Sequence, residues 1–437
     1  MARRTGFIEN ARSRPGLAGA FFIDSVGTGM FLPFSLLFFL ATTSLSLTQI
    51  GLGLSVGALV RIPVTIVAGP LSDRFGPRAA IVTAQLLQAA GFAGYLFVHG
   101  FWSLVATSVL VQTGNSIFWV AYAPLIFAVA AEGEREHWFA LCNALQTAGV
   151  AAGGVIAGAT VAAGGRAGFI AVAVANAVSF VLAAVLFARG HSGRVTPDQD
   201  NEPADESANG WKPLLRDYAF VGFVAVNVGI TFVGLAVPLA LPVYLVKLLG
   251  LPTWAPGAAL ALNATLVAVL APVVMSAITG RRRRNLLMVS QSCVVVAFAV
   301  FLVAHLVPAW AAIALILIAI LPLAVCEVMQ AAIVPSVVTE SATPRTVGRY
   351  TSAYQVTFSI GDIIVPAVVT AALHAGAVTL WLPLSAVALV DLVAVALLAR
   401  RMTALTRRVG DTAPPGEGGP GEGGPGEGGT VPGQLVG

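Results

Sequence analysis

The fold class that the sequence predicts is all-α and membrane-embedded: twelve transmembrane helices in two pseudo-symmetric six-helix bundles. Three observations predict it. Of the 437 residues, 57% are hydrophobic and only 10% charged, with a mean hydropathy of +0.87, whereas soluble domains carry about 25% charged residues. The apolar residues recur in blocks of roughly 20, enough to cross a hydrocarbon core of about 30 Å. The basic residues fall almost entirely in alternate connections between those blocks.

Taken in order, residues 1–16 carry Arg3, Arg4, Arg12 and Arg14 and read as a cytoplasmic N-terminus. The first span, 17–40, has the basic flank of a signal peptide. It runs past 20 residues without a small-residue cleavage site, so it is read as retained. Spans 2 and 3, 49–71 and 79–98, are joined by GPLSDRFGPR, Gly69 to Arg78. Spans 4 (102–124), 5 (139–163) and 6 (167–188) complete a first bundle, 17–188. The central loop, 189–216, contains TPDQDNEPADESANG, a polar and acidic stretch with too little apolar surface to fold. Spans 7 to 12, at 217–243, 254–278, 286–305, 309–333, 347–373 and 378–399, form a second bundle, 217–399. The remainder, 400–437, contains the repeat PPGEGGPGEGGPGEGG and reads as a disordered cytoplasmic tail.

Assigned one by one to this topology, 21 of the 24 Lys and Arg residues share a side with both termini. Only Arg166 and Lys247 lie opposite, and Arg61 lies within a span. That split places both termini and the central loop in the cytoplasm, and the chain in the plasma (inner) membrane. The positions of the basic residues also argue against a nucleic-acid partner. Cys142, Cys293 and Cys326 all fall in apolar segments, which leaves no disulfide framework or zinc motif. The five histidines are scattered over both sides, so a polytopic membrane enzyme lacks a catalytic constellation. No metal and no cofactor is expected.

The halves repeat. Gly29-x-x-x-Pro33 in span 1 matches Gly234-x-x-x-Pro238 in span 7 at an offset of 205, and Pro124 matches Pro335 at 211. Trp138 and Gly149 match Tyr350 and Gly361 at 212. Ordered matches with slowly drifting offsets indicate an internal repeat, an arrangement that places a binding site at the midplane between two rocking halves.

Within GPLSDRFGPR, Gly76 and Pro77 make a turn, Gly69 permits close helix approach, and Asp73 can pair with Arg74 or Arg78. The pattern G-x-L-x-D-R-x-G-x-R between spans 2 and 3 of a twelve-helix chain resembles the signature of the major facilitator superfamily. The resemblance covers 17–399. It implies that Gly69, Asp73, Arg74, Gly76 and Arg78 form a gating latch, in which the carboxylate ties the cytoplasmic ends of the halves together when the cavity faces outward. Departures are visible: ITGRRRRN after span 8 keeps the basic character but has no Asp. The drug/proton antiporters of that family often carry an Arg in span 4, where this chain has Leu110 in LVQTGN, and a Gly-Pro in span 5, where it has GVAAGGVIAG.

Ionisable residues within spans are costly and are therefore functional candidates. They are Asp24, Arg61, Glu327, Asp362 and Asp391. Asp24 shares a helical face with Thr28, Phe31 and Ser35 and is the first choice as proton carrier; the bland alternative is an ion pair with Arg61. Glu327, with Gln330 one turn on, is a second candidate. Asp362, beside Gly361, is a third, and it is the other available partner of Arg61. Asp391, on a peripheral span, reads as packing. Span 4 presents Gln112, Asn115, Trp119 and Tyr122 on one stripe, and span 7 adds Asn227 and Thr231. Amides and rings converging in this way suit an amphipathic organic ligand. The expectation is a monomeric secondary transporter in the lipid bilayer, exporting a small organic substrate in exchange for protons. A nutrient importer is the alternative.

Overall fold

The computed structural model describes residues 14–129, 135–189, 212–342 and 347–409. Twelve helices fill these stretches. α1 runs Pro15–Phe31, passes through a 3-10 turn at Leu32–Phe34, and continues as Ser35–Thr42. The turn falls on Pro33, which has no N–H to donate. α2 is Leu47–Ala58 followed by Arg61–Phe75, and it opens on a reciprocal capping box of Ser46 and Gln49. α3 is Pro77–Tyr95 and α4 is Phe101–Val129. α5 and α6 share the run Arg135–Arg189 and part at Gly165, whose φ of 52° and ψ of −124° lie outside helical backbone. α7 is Tyr218–Val243, ending in a π-turn at Tyr244–Leu248. α8 (Ala255–Ile278), α9 (Arg283–Ala304), α10 (Ala309–Glu340), α11 (Val347–Ala375) and α12 (Ala377–Leu398) follow.

Ten of the described helical runs are long and apolar enough to cross a membrane. One of these, Leu141–Arg189, is divided in two at Gly165, and α3 falls outside the ten because Arg78, Gln85 and Gln88 lower its hydropathy. The twelve spans read from sequence therefore each have a helix. α10 runs on from the expected end at 333 to Glu340.

Packing repeats between the halves: α1 lies on the α5–α6 run, α2 on α4, and α3 on α4 and the α5–α6 run. Likewise α7 lies on α11 and α12, α8 on α10, and α9 on α10 and α12. The repeat extends to side chains, since Arg78, Gln85 and Phe92 of α3 match Arg284, Gln291 and Phe298 of α9 at an offset of 206.

The two faces of the molecule differ. On the side away from the termini, one apolar core runs through both halves and includes Phe31, Phe34, Phe39 and Tyr95 together with Tyr244, Phe298, Phe301 and Trp381. On the terminus side each half keeps a separate core: Phe21, Phe118, Trp138 and Phe187 in the first, Phe220, Phe223, Leu287 and Val338 in the second. Among the described residues, a shared apolar core joins the halves at one end only. α8 shows this along its length, being buried at Ala255–Gly257 and Ala259 and then not again until Ile278.

Two seams close the joined side. A Cβ on Gly51 of α2 would lie 1.8 Å from Thr370 Oγ1 and 2.4 Å from the Pro366 carbonyl oxygen of α11. A Cβ on Gly257 of α8 would lie 2.5 Å from the Cα of Gly158 on α5. Only the missing side chains allow these approaches. The seams are equivalents under the internal repeat, since Gly51 matches Gly257 at 206 and Gly158 matches Thr370 at 212. Beside the first seam, the Ala367 N–H donates to Ser55 Oγ at 3.0 Å. A cavity between the halves thus opens toward the terminus side.

Two sequence expectations change. Residues 400–437 were expected to be structureless, but Thr403–Thr406 form a helical turn and Arg408 bridges Arg282; the Gly-rich repeat itself lies outside the described residues. Gly69 was expected to permit close approach, yet a Cβ there would meet nothing within 4 Å, because the halves stand apart on that side.

Candidate functional site

Arg61 starts the second segment of α2: Pro63 cannot donate to the Leu59 carbonyl, which accepts from the Ile62 N–H at 3.4 Å instead, so the helix is interrupted by a tight turn at Leu59–Val60. α11 lies close on α7 at Gly361, where a Cβ would sit 2.6 Å from Leu235 Cδ1. The next residue, Asp362, turns toward the other half. The Arg61 and Asp362 side chains meet at 2.6 Å across the interface, 12% and 30% exposed. The same Arg61 Nη1 donates to Asn115 Oδ1 at 3.1 Å and Gln112 Oε1 at 3.4 Å, both on α4. One cation is thus held by two amides of its own half and a carboxylate of the other. Water reaches the carboxylate more readily than the guanidinium.

Asp24 does not join this cluster. It is 8% exposed and accepts from Gln85 Nε2 of α3 at 2.8 Å, inside the first half. Thr28 Oγ1 donates to the backbone carbonyl of Asp24. The Asp24–Arg61 pair weighed from sequence is therefore not formed, and Arg61 has its other available partner. Glu327 is exposed and accepts from Asn263 Nδ2 of α8 at 3.0 Å, within the second half. Gln330 donates to Ser290 Oγ of α9 at 3.0 Å, and Ser290 also meets Cys326 Sγ at 3.1 Å. Asp391 is buried against Gly229 of α7, where a Cβ would lie 2.4 Å from its carboxylate.

The expected stripe on α4 divides. Gln112 and Asn115 serve Arg61, whereas Trp119 and Tyr122 pack edge-on at 5.6 Å, with Tyr122 also against Phe21 at 5.6 Å. Trp119 is 46% exposed. Asn227 and Thr231, expected to line the cavity, are buried instead; Asn227 Nδ2 donates to Thr357 Oγ1 at 2.8 Å and pins α7 to α11. In the α2–α3 connection, Gly76 makes the turn with φ 86°, and Arg74 lies over the Phe75 ring at 5.4 Å. Arg78 donates through Nε to the Phe187 carbonyl at 2.7 Å and through Nη2 to that of Ala188, closing the end of α6. The side chain of Asp73 lies outside the described residues.

Asn263, Gln85 and the seam residues Gly51, Gly158, Gly257 and Thr370 were not singled out from sequence. The internal repeat, read from sequence at offsets of 205, 211 and 212, was the signal that could have paired the seams.

Comparison with known proteins agrees with this architecture. Residues 17–366 match the profile of the Major Facilitator Superfamily. Multidrug resistance protein MdtH of Cronobacter sakazakii is 29% identical over 205 residues, 47% of this chain and 49% of that protein. The MFS-type transporter YhjO of Bacillus subtilis, itself uncharacterized, is 30% identical over 134 residues, 31% of this chain and 33% of that protein. The matched stretches thus span about half the length of these relatives, or less. Among solved structures, a mutant of the nucleoside transporter NupG superimposes with a TM-score of 0.71 at 12% identity, covering 90% of this chain and 100% of that one. A POT family transporter in complex with a thioalcohol-conjugated peptide gives 0.70 at 12% identity, covering 90% and 97%. At such identities these two show the fold alone. With the profile matched over most of its length and the fold matched over nine-tenths of it, the chain belongs to the Major Facilitator Superfamily and is a transporter rather than an enzyme.

Proposed function

We propose that this transporter exports a small organic molecule across the plasma membrane in exchange for protons, and that Asp362 with Arg61 couples the two movements. The observation that carries the reading is the 2.6 Å ion pair between the halves, whose carboxylate is 30% exposed. When the halves rock, α2 and α11 must separate on the joined side, and the pair must break. A protonated Asp362 no longer attracts Arg61, so protonation favours the outward-opening state and ionisation favours the state seen here. Export with proton entry follows if substrate crosses outward with Asp362 ionised and leaves when a proton from outside reaches Asp362, and the empty carrier then returns with Asp362 protonated and releases that proton inside. The distribution of positive residues supports a cytoplasmic terminus side, and with it a cavity that faces inward. The multidrug resistance name of the MdtH relatives supports the outward direction. The cavity is complete between two halves of one chain, which is consistent with a monomer.

The test uses everted vesicles under an imposed pH gradient with a panel of cationic, zwitterionic and neutral amphipathic dyes. Dye should accumulate in everted vesicles with the wild type. Asp362→Asn should lose gradient-driven accumulation while keeping dye binding and downhill exchange. Asp24→Asn, which keeps an acceptor for Gln85, should remain coupled. Accumulation only in right-side-out vesicles would make the protein an importer. Loss of coupling in Asp24→Asn with Asp362→Asn intact would return the carrier role to Asp24.

A further inference from the structure

After α12 the chain folds back. Met402, Ala404 and Leu405 are buried in the terminus-side core of the second half, beside Leu286, Leu287, Val337 and Val338. The next residues run antiparallel to the α8–α9 turn. The Arg283 N–H donates to the Arg407 carbonyl at 3.0 Å, the Val409 N–H to that of Arg281 at 3.0 Å, and the Gly280 N–H to that of Val409 at 2.8 Å. Gly280, at φ 77°, supplies the turn that presents these groups. Arg283 is 4% exposed and grips both carboxylate oxygens of Glu340, at 2.7 and 2.5 Å. Arg407 approaches the same carboxylate at 3.4 Å. A single acid at the end of α10 therefore holds the α8–α9 turn and the returning chain together.

We infer that residues 402–409 are a permanent strap of the second half, pinned by Glu340 against the α8–α9 turn. That turn, GRRRRN, is the repeat of the α2–α3 connection. In the first half Arg78 ties the connection to the end of α6. In the second half the equivalent anchor is the chain beyond α12. Every partner in the strap comes from one half, so it stays shut while the halves rock. Arg283 is committed to it and is not free to reach the first half. Glu340 is thereby a positioning residue: it fixes the end of the helix that carries Glu327 and Gln330. The permanence of the strap rests on the rocking motion of the proposed function, but its existence does not.

The test places cysteines at the bridged positions, Arg282→Cys with Arg408→Cys, in a Cys293→Ser background; the two other cysteines are buried. Cross-strand neighbours lie within disulfide reach. Under mild oxidation the bond should form readily in purified full-length protein. Its rate should stay within about twofold when Gly257→Val is added to part the seam on the far side, because distant sites act independently. No bond in either protein would remove the strap. A bond that forms in the first protein but slows about tenfold or more in the second would make the strap a moving part. Trypsin provides an independent readout, since Arg407→Gln and Glu340→Gln should each accelerate release of the C-terminal segment, while Glu340→Asp should restore part of the protection. Unchanged cleavage in folded Glu340→Gln protein would show that Glu340 is not the pin.

Discussion

One nitrogen of Arg61 faces a carboxylate and two amide oxygens, and that crowding explains why the sequence could nominate the residue without naming its partner. Charges inside spans are visible in a sequence because they are costly. Their partners depend on which way each helix is turned, which depth along the span does not determine. Asp24 and Arg61 are compatible in depth, yet Asp24 points to Gln85 and Arg61 to Asp362. Glu340 was invisible for a different reason: it lies beyond the apolar stretch where an acid draws attention. Burial raises its carboxyl, but the hydrogen bonds and charge of Arg283, with Arg407 behind them, outweigh that and hold it below the ordinary carboxylate range. A carboxyl depressed in this way stabilises the fold above its unfolded value of 4.5 and loses that contribution as pH falls through the folded value. Hydrogen exchange at the amides of Gly280, Arg283 and Val409 should therefore be slow at neutral pH. After correction for the intrinsic rate it should rise on acidification below 4.5. Glu340→Gln should flatten that profile, and a wild type whose protection is the same at pH 3 and pH 7 would contradict the assignment.

At the scale of elements, the helices were the most legible part, because a lipid-facing segment must be apolar and must satisfy its own backbone. All twelve spans have their helices, and the two six-helix halves repeat one another's contacts. The strap was not legible, since a four-residue helical turn and a two-strand bridge leave no periodic pattern. The glycine seams were hidden among many glycines; only their spacing under the repeat sets them apart. The break in α2 was written in plain sight as Arg-Ile-Pro, and it has a consequence that can be measured. The Leu59 carbonyl accepts a long 3.4 Å bond from the Ile62 N–H; Pro63→Ala offers it an ordinary helical donor and should regularise the helix, for a gain of about 1 kcal/mol where the backbone can adapt. A continuous α2 would turn Arg61 away from Asp362. The variant should match or exceed the thermal stability of the wild type while losing much of the gradient-driven dye accumulation. Unchanged coupling would show that the break is incidental.

For the whole molecule, the two sides of the membrane hold opposite ends of one equilibrium. The seams at Gly51–Thr370 and Gly158–Gly257 stabilise the state that is closed away from the termini. The latch that the family resemblance places at Asp73 would stabilise its opposite. Gly257→Val puts atoms where the Gly158 backbone lies, 2.5 Å from the added Cβ, so the second seam cannot close. Overpacking of this kind costs about 1–3 kcal/mol, enough to shift a two-state population roughly 5- to 150-fold. Asp73→Asn removes the tie on the other side and pushes the balance back. The populations can be read from the labelling rate of a cysteine at Thr65, one turn below Arg61 on the same face of α2 and exposed here, with Cys293→Ser to remove background. A membrane-impermeant maleimide added from the terminus side should label Thr65→Cys quickly in the parent protein and more slowly with Gly257→Val. Adding Asp73→Asn to the valine variant should restore much of the rate, because sites this far apart contribute additively. If the valine variant labels at the parental rate, the seams are packing and not a gate. If it slows but Asp73→Asn fails to restore the rate, the gate stands and the opposing latch must be sought elsewhere on the terminus side.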